Sequence, residues 1–272
     1  MPLPCRTSTR LPRGARAPIA LLLGLACLAA MPLHATDRHY IGVAYALDGN
    51  AVRYREEHWL FDDRGTRVRL VLYRCGDGTA FARKWVRYVD VPWAPEFTFE
   101  DGRDGYREGV RRTANGQLDI YASRHRGAAP DSATLTPPAD TVIDAGFDDY
   151  VRGHWRQLLQ PDGLRADFVM PSRLGVLPLR LRPVPNTGAE AVQRLRMSLD
   201  GWLGKLAPSV DLVYALSDQR LLRFEGISNI RDADGHTQRV RIEFPRDGEQ
   251  PAPSQAEITM AMSTPLAARC PG

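Results

Sequence analysis

No apolar run in this chain reaches the roughly 20 residues that a membrane-spanning helix needs. The longest, APIALLLGLACLAAM (17–31), falls short and is followed by no stop-transfer charges. Several signatures of catalysis are missing as well. There is no C-x-x-C pair, which argues against thiol–disulfide exchange. There is no G-x-S-x-G elbow, no H-E-x-x-H pair and no glycine-rich phosphate loop after a strand. Ser123 lies close to His125, but neighbours on one strand do not converge as a catalytic triad does. No catalytic residue and no cofactor is assigned. Lysine is nearly absent, with 34 arginines against two lysines among 272 residues.

What is present begins with an address. Arg6, Arg10, Arg13 and Arg16 form a basic leader without acids, followed by the apolar run and then by MPLHA (31–35). This order predicts a cleaved secretory signal over 1–35 and a periplasmic protein over 36–272. Ala35 is the expected last residue of the signal, with a cut after Ala30 as the alternative. Lipidation at Cys27 is the minor reading, because Gly24 stands where a lipobox usually has leucine.

The leader also accounts for the net charge. The full chain is +4, yet residues 36–272 carry 32 basic and 32 acidic side chains. Nucleic-acid binding asks for a basic footprint, so nucleic acid is not an expected partner. Export leaves two cysteines, Cys75 and Cys270, an even pair that reads as a candidate disulfide in an oxidising compartment.

The body reads as strands with turn punctuation. HYIGVAYAL (39–47), AVRYREEHWLF (51–61), TRVRLVLYR (66–74) and TAFARKWVRYV (79–89) are separated by DGN, DDRG and CGDG. Glycine and aspartate between β-branched and aromatic runs is the hairpin pattern. In 66–74 Val68, Leu70 and Leu72 alternate with Arg67 and Arg69, which predicts one buried and one wet face. VPWAPEF (91–97) reads as a loop or edge, GYREGVRR and QLDIYAS as a hairpin, and RGAAPDSATLTPPAD (126–140) as an exposed loop.

GFDDYVRGHWRQLL (146–159) changes period. Phe147, Val151, Trp155 and Leu158 recur at helical spacing, and Pro161 and Gly163 stop the segment. It is the principal predicted helix. His154, at the edge of that stripe, is expected to be satisfied by a neighbouring carbonyl or water. Strands resume at 166–170, 178–184, 191–199, 210–216, 220–228 and 236–244, WLGKLA (202–207) suggests one helical turn, and AEITMAM (256–262) is expected to close the sheet.

YREEHWLFDDRG (54–65) holds two glutamates, a histidine and two aspartates. On a strand Glu56 and His58 share a face and form half of a metal site at most, with no His-rich neighbour to complete it. Asp62, Asp63 and Gly65 suit a tight turn. The cluster therefore reads as architecture, and no metal site is assigned.

The hairpin RLLRFEGISNIRDADGHTQRVRIEF (220–244) resembles the penultimate hairpin of the LolA-like superfamily and related exported half-barrel proteins. The matching positions are Leu222 and Phe224, then Asp232 and Gly235, then Val240, Ile242 and Phe244. A helix inserted between two groups of strands is also similar, although the carriers begin with a helix and this chain enters a strand. The resemblance implies a mainly β fold, a curved antiparallel half-barrel with one principal helix in or over its concave face, binding acyl chains or lipoproteins in the envelope. On that reading the ligand is hydrophobic or lipid-like, and Val68, Leu70, Leu72, Phe147, Val151, Trp155, Val240, Ile242 and Phe244 line its site. An envelope-assembly module that docks a protein, and a hydrolase with scattered groups, are the alternatives.

Overall fold

The local turn chemistry is realised at the first hairpins. In the computed structural model, which describes residues 37–186, 188, 191–201, 208–232 and 235–271, β1 (Arg38–Ala46), β2 (Val52–Asp63) and β3 (Thr66–Arg74) run antiparallel. Arg64 (φ 54°) and Gly65 (φ 85°) form the two-residue link between β2 and β3. Two left-handed residues match the twist of the flanking strands. The Gly65 amide donates to Asp62 Oδ1 at 2.7 Å. The Asp62–Gly65 end of the acid-rich stretch is therefore a turn.

The meander continues through β4 (Ala80–Tyr88), β5 (Glu96–Asp101), β6 (Arg107–Arg112), β7 (Leu118–Ser123) and β8 (Asp131–Leu135). The segment expected as an exposed loop thus contains an exposed edge strand, β8, which pairs with β7. A short strand β9 (Thr141–Ile143) follows, buried at all three residues. Next come helix α1 (Gly146–Gly153), the short α2 (Trp155–Leu158), and strands β10 (Leu164–Met170), β11 (Gly175–Val184), β12 (Val192–Leu199), β13 (Val210–Ala215), β14 (Leu221–Arg231) and β15 (Thr237–Glu243). Two-residue β16 (Glu249–Gln250) pairs with β1, and helix α3 (Gln255–Ser263) follows.

These strands make one open, curved sheet in the order β8-β7-β6-β5-β4-β3-β2-β1-β15-β14-β13-β12-β11-β10-β9. Two meanders meet where β1 lies antiparallel to β15, with Ala44 opposite Ile242. Among the described residues every pairing is antiparallel except that of β9 with β10.

Three expectations are corrected here. Residues 256–262 form a helix instead of a closing strand. Ser254 and Glu257 make a reciprocal capping box, which satisfies amides that a strand would have left to a neighbour. Second, the helix predicted over 146–159 breaks at His154, whose ring Nδ1 lies 2.9 Å from the Tyr150 carbonyl oxygen, and with α3 present it is not the one principal helix. Third, neither face of β3 is wet. Val68, Leu70 and Leu72 lie with Ile258 and Ala261 of α3, while Arg69 on the other face is only 7 % exposed. A helix on the back of the sheet covers the face that would otherwise meet water.

The cysteines are joined. Cys75 is buried at the end of β3, Cys270 is exposed, and the disulfide between them closes 195 residues of chain with a Cα–Cα distance of 5.6 Å. Residues 1–35, which carry the predicted signal and Cys27, and the turn expected at 202–207 lie outside the described residues. Among the described residues no helix is long and apolar enough to cross a membrane.

Candidate functional site

The nine apolar residues singled out from the sequence do not line one site. Val68, Leu70 and Leu72 pack beneath α3 with Trp59 and Phe61. Val151 is buried against Leu164, Leu181, Leu195 and Leu212 of the C-terminal meander, with Phe147 and Trp155 partly buried beside it. Val240, Ile242 and Phe244 belong to a core that unites the two meanders with Tyr54, Val71 and Phe97. The first three are separated from the others by the sheet itself, because Arg67, Arg69 and Val71 occupy the opposite face of β3.

The face that carries Val151 extends beyond the helices. Register places Leu164 opposite Leu181, Phe168 opposite Leu177, Leu181 opposite Met197, Met197 opposite Val210 and Leu212 opposite Phe224. Paired residues of antiparallel strands share a face, so these form one continuous apolar floor across β10–β14. Its covered end, at Leu164, Leu181, Leu195 and Leu212, is buried. Its other end, at Phe168, Leu177, Met197, Leu199, Val210 and Phe224, is only half-buried. Gly226 lets Val210 settle against the strand, since a Cβ at that glycine would stand 2.6 Å from Val210 Cγ2. Sequence reasoning missed this floor. The alternation was legible in LRMSL and VDLVY, but partial cover cannot be read from periodicity.

Beside the floor lies a polar belt between α1 and the first meander. Asp149 of α1 faces Arg67 at 3.7 Å and Arg152 at 2.9 Å, and Asp148 faces Arg152 at 3.1 Å. Just before the helix, Asp144 accepts from Lys84 Nζ at 2.7 Å. The Arg69 guanidinium lies 5.9 Å from the Tyr88 ring centre, and its Nε finds no acceptor. Burial works against a charge on Arg69, but Tyr88, Tyr40, Asp148 and Asp149 outweigh it and raise its pKa. Burial also pushes Tyr88 up to about 12, and its hydroxyl has no hydrogen-bond partner among the described residues. His58 is held below its ordinary 6.5 by burial, against the opposing pull of a hydrogen bond with Glu56 at 3.2 Å. Its Nδ1 has no hydrogen-bond partner among the described residues.

Among the described residues this belt offers cations, carboxylates and phenols, and no nucleophile held by a base. Glu56 and His58 do share a face, as their strand spacing requires, and they are bonded to each other. Among the described residues no three His, Cys, Asp or Glu side chains are grouped to hold a metal ion. The Ser123 hydroxyl donates to the Ala128 carbonyl at 2.9 Å, not to the His125 ring.

No protein-family model matches the chain, and a search of curated proteins finds no match either.

Proposed function

We propose that this is a non-catalytic periplasmic protein of the half-barrel, LolA-like type that binds a hydrophobic or lipid-like ligand on the apolar floor of β10–β14. The carrying observation is the half-buried row Phe168, Leu177, Met197, Leu199 and Val210 on one continuous apolar face. Apolar surface left partly open gains about 25 cal/mol per Å² when a ligand covers it.

The test is native mass spectrometry of the mature protein purified from the periplasm, with organic extraction of any co-purifying molecule. An adduct of lipid mass that disappears in Met197→Glu and persists in Met260→Glu supports the reading. An apo mass unchanged after incubation with phospholipids and fatty acids overturns it. A second reading, docking of an extended peptide, is favoured by the exposed edge strand β8, which has β7 on one side only. Retention of an envelope protein by the apo form, abolished by a proline at Ser132 or Thr134, would support that alternative.

A further inference from the structure

Between the β5–β6 turn and the segment after α3 lies an open groove of about 920 Å³. One wall is the β5–β6 turn, another the loop after β7, and a third the C-terminal segment that follows α3. Four arginines line it, Arg83, Arg103, Arg107 and Arg126, against two acids, Glu100 and Asp101. Outside residues 1–35 the chain is formally neutral, so this is a local excess of positive charge.

The excess survives once partners are assigned. Arg83 is taken by Glu100 at 3.0 Å and by the Thr264 carbonyl. Arg103 grips the buried Asp101 through two bonds of 2.7 and 3.0 Å and lies over the Phe81 ring at 4.0 Å. Arg126 spends one N–H on the Gly102 carbonyl at 2.7 Å. The Arg107 side chain makes no hydrogen bond or ion pair among the described residues. Two exposed guanidiniums therefore face the groove with donors to spare.

The walls are built rather than incidental. The Arg126 amide donates to the Asp104 carbonyl at 2.8 Å, and Gly105 (φ 78°) lies so close that a Cβ there would stand 2.6 Å from Arg126 Cα. A side chain at Gly102 would run into Leu266 at 2.8 Å. The C-terminal wall is tied to β4 by the Ala267 amide on the Ala80 carbonyl, 2.8 Å, and beyond it by the Cys75–Cys270 disulfide. Arg126 is thus held by backbone contact with the β5–β6 turn, and Arg107 by its place in β6 between Glu100 of β5 and Ser123 of β7.

We propose that this groove binds an oxyanion group, phosphate or a similar multivalent anion, through Arg107 and Arg126. Planar guanidiniums with free donors match phosphate oxygens in pairs, and a concave wall concentrates their field. The site is separate from the apolar floor and does not depend on it.

Inorganic pyrophosphate titrated calorimetrically into the full mature protein at low salt is the first probe. Saturable binding should weaken tenfold or more in Arg107→Gln/Arg126→Gln. The control Arg182→Gln/Arg239→Gln removes the same charge from exposed positions elsewhere and should bind as the wild type does. Co-sedimentation with phosphatidylglycerol vesicles, against phosphatidylcholine vesicles, then separates the sources of the anion. Pelleting that needs Arg107 and Arg126 assigns a lipid head group, and pyrophosphate binding without pelleting assigns a soluble anion. Absence of saturable heat, or equal loss in both double variants, overturns the proposal.

Discussion

The ring of Tyr40 lies flat against the imidazole of His58, with centroids 4.5 Å apart and planes 7° apart. Register puts the two residues directly opposite each other on β1 and β2. His58 is buried, and that burial sets the first pH dependence expected of the protein.

Burial lowers the His58 pKa below 6.5, so the folded protein prefers the neutral ring. Below pH 6.5 the unfolded chain takes up a proton that the folded chain resists, and stability falls as pH drops toward the folded pKa. Above pH 7 this residue contributes no slope. Glu108 works in the opposite sense, since burial raises its carboxyl pKa, and the Tyr106 hydroxyl on it at 2.7 Å only partly offsets this. The His58 effect is therefore read as a difference. Thermal melts from pH 7.5 to 5 should fall more steeply for the wild type than for His58→Gln, and parallel curves would contradict the buried neutral ring.

Helix α3 is a core element with one wet face. Ile258 is 3 % exposed and packs on β3, whereas Met260 is 69 % exposed. Ile258→Ala should cost about 2–5 kcal/mol in urea denaturation, the range for emptying a buried aliphatic site. Met260→Ala should change stability by less than about 0.5 kcal/mol. Equal small effects would mean that α3 does not cover the sheet in solution.

An extra atom at Gly42 would press on a side chain at the seam between the meanders. A Cβ there would lie 2.5 Å from the Phe244 ring, where β1 meets β15. Gly42→Ala should destabilise by about 1–3 kcal/mol through overpacking. Adding Phe244→Leu should recover part of the loss, and the double-mutant cycle measures that coupling. Additive losses would place the strain elsewhere.

Local chemistry was legible wherever a few neighbouring residues decide the outcome. Asp62, Asp63, Arg64 and Gly65 specify a tight turn because side-chain acceptors and left-handed φ are local needs. Alternation in TRVRLVLYR specifies a strand, and the stripe Phe147, Val151 and Leu158 specifies a helix. Even α3 had a sequence signal, the capping-box pair Ser254 and Glu257, which outweighs the strand-like look of AEITMAM. β9 was not legible, because three residues carry no period and its burial on both faces comes from distant segments.

The candidate site was the least legible part. Val68 and Met197 sit on similar alternating strands, yet one is sealed under α3 and the other stays half-open. Alternation separates the two faces of a strand but carries no information about what covers either of them. Strand, turn and helix positions follow from the residues nearby, through φ/ψ preference and side-chain period. The pairing of β1 with β15, the burial of Arg69, the sealed and open faces and the arginine groove depend on contacts between residues far apart in the chain. Those contacts arise only when the two meanders join and the C-terminal helix comes to rest on the back of the sheet.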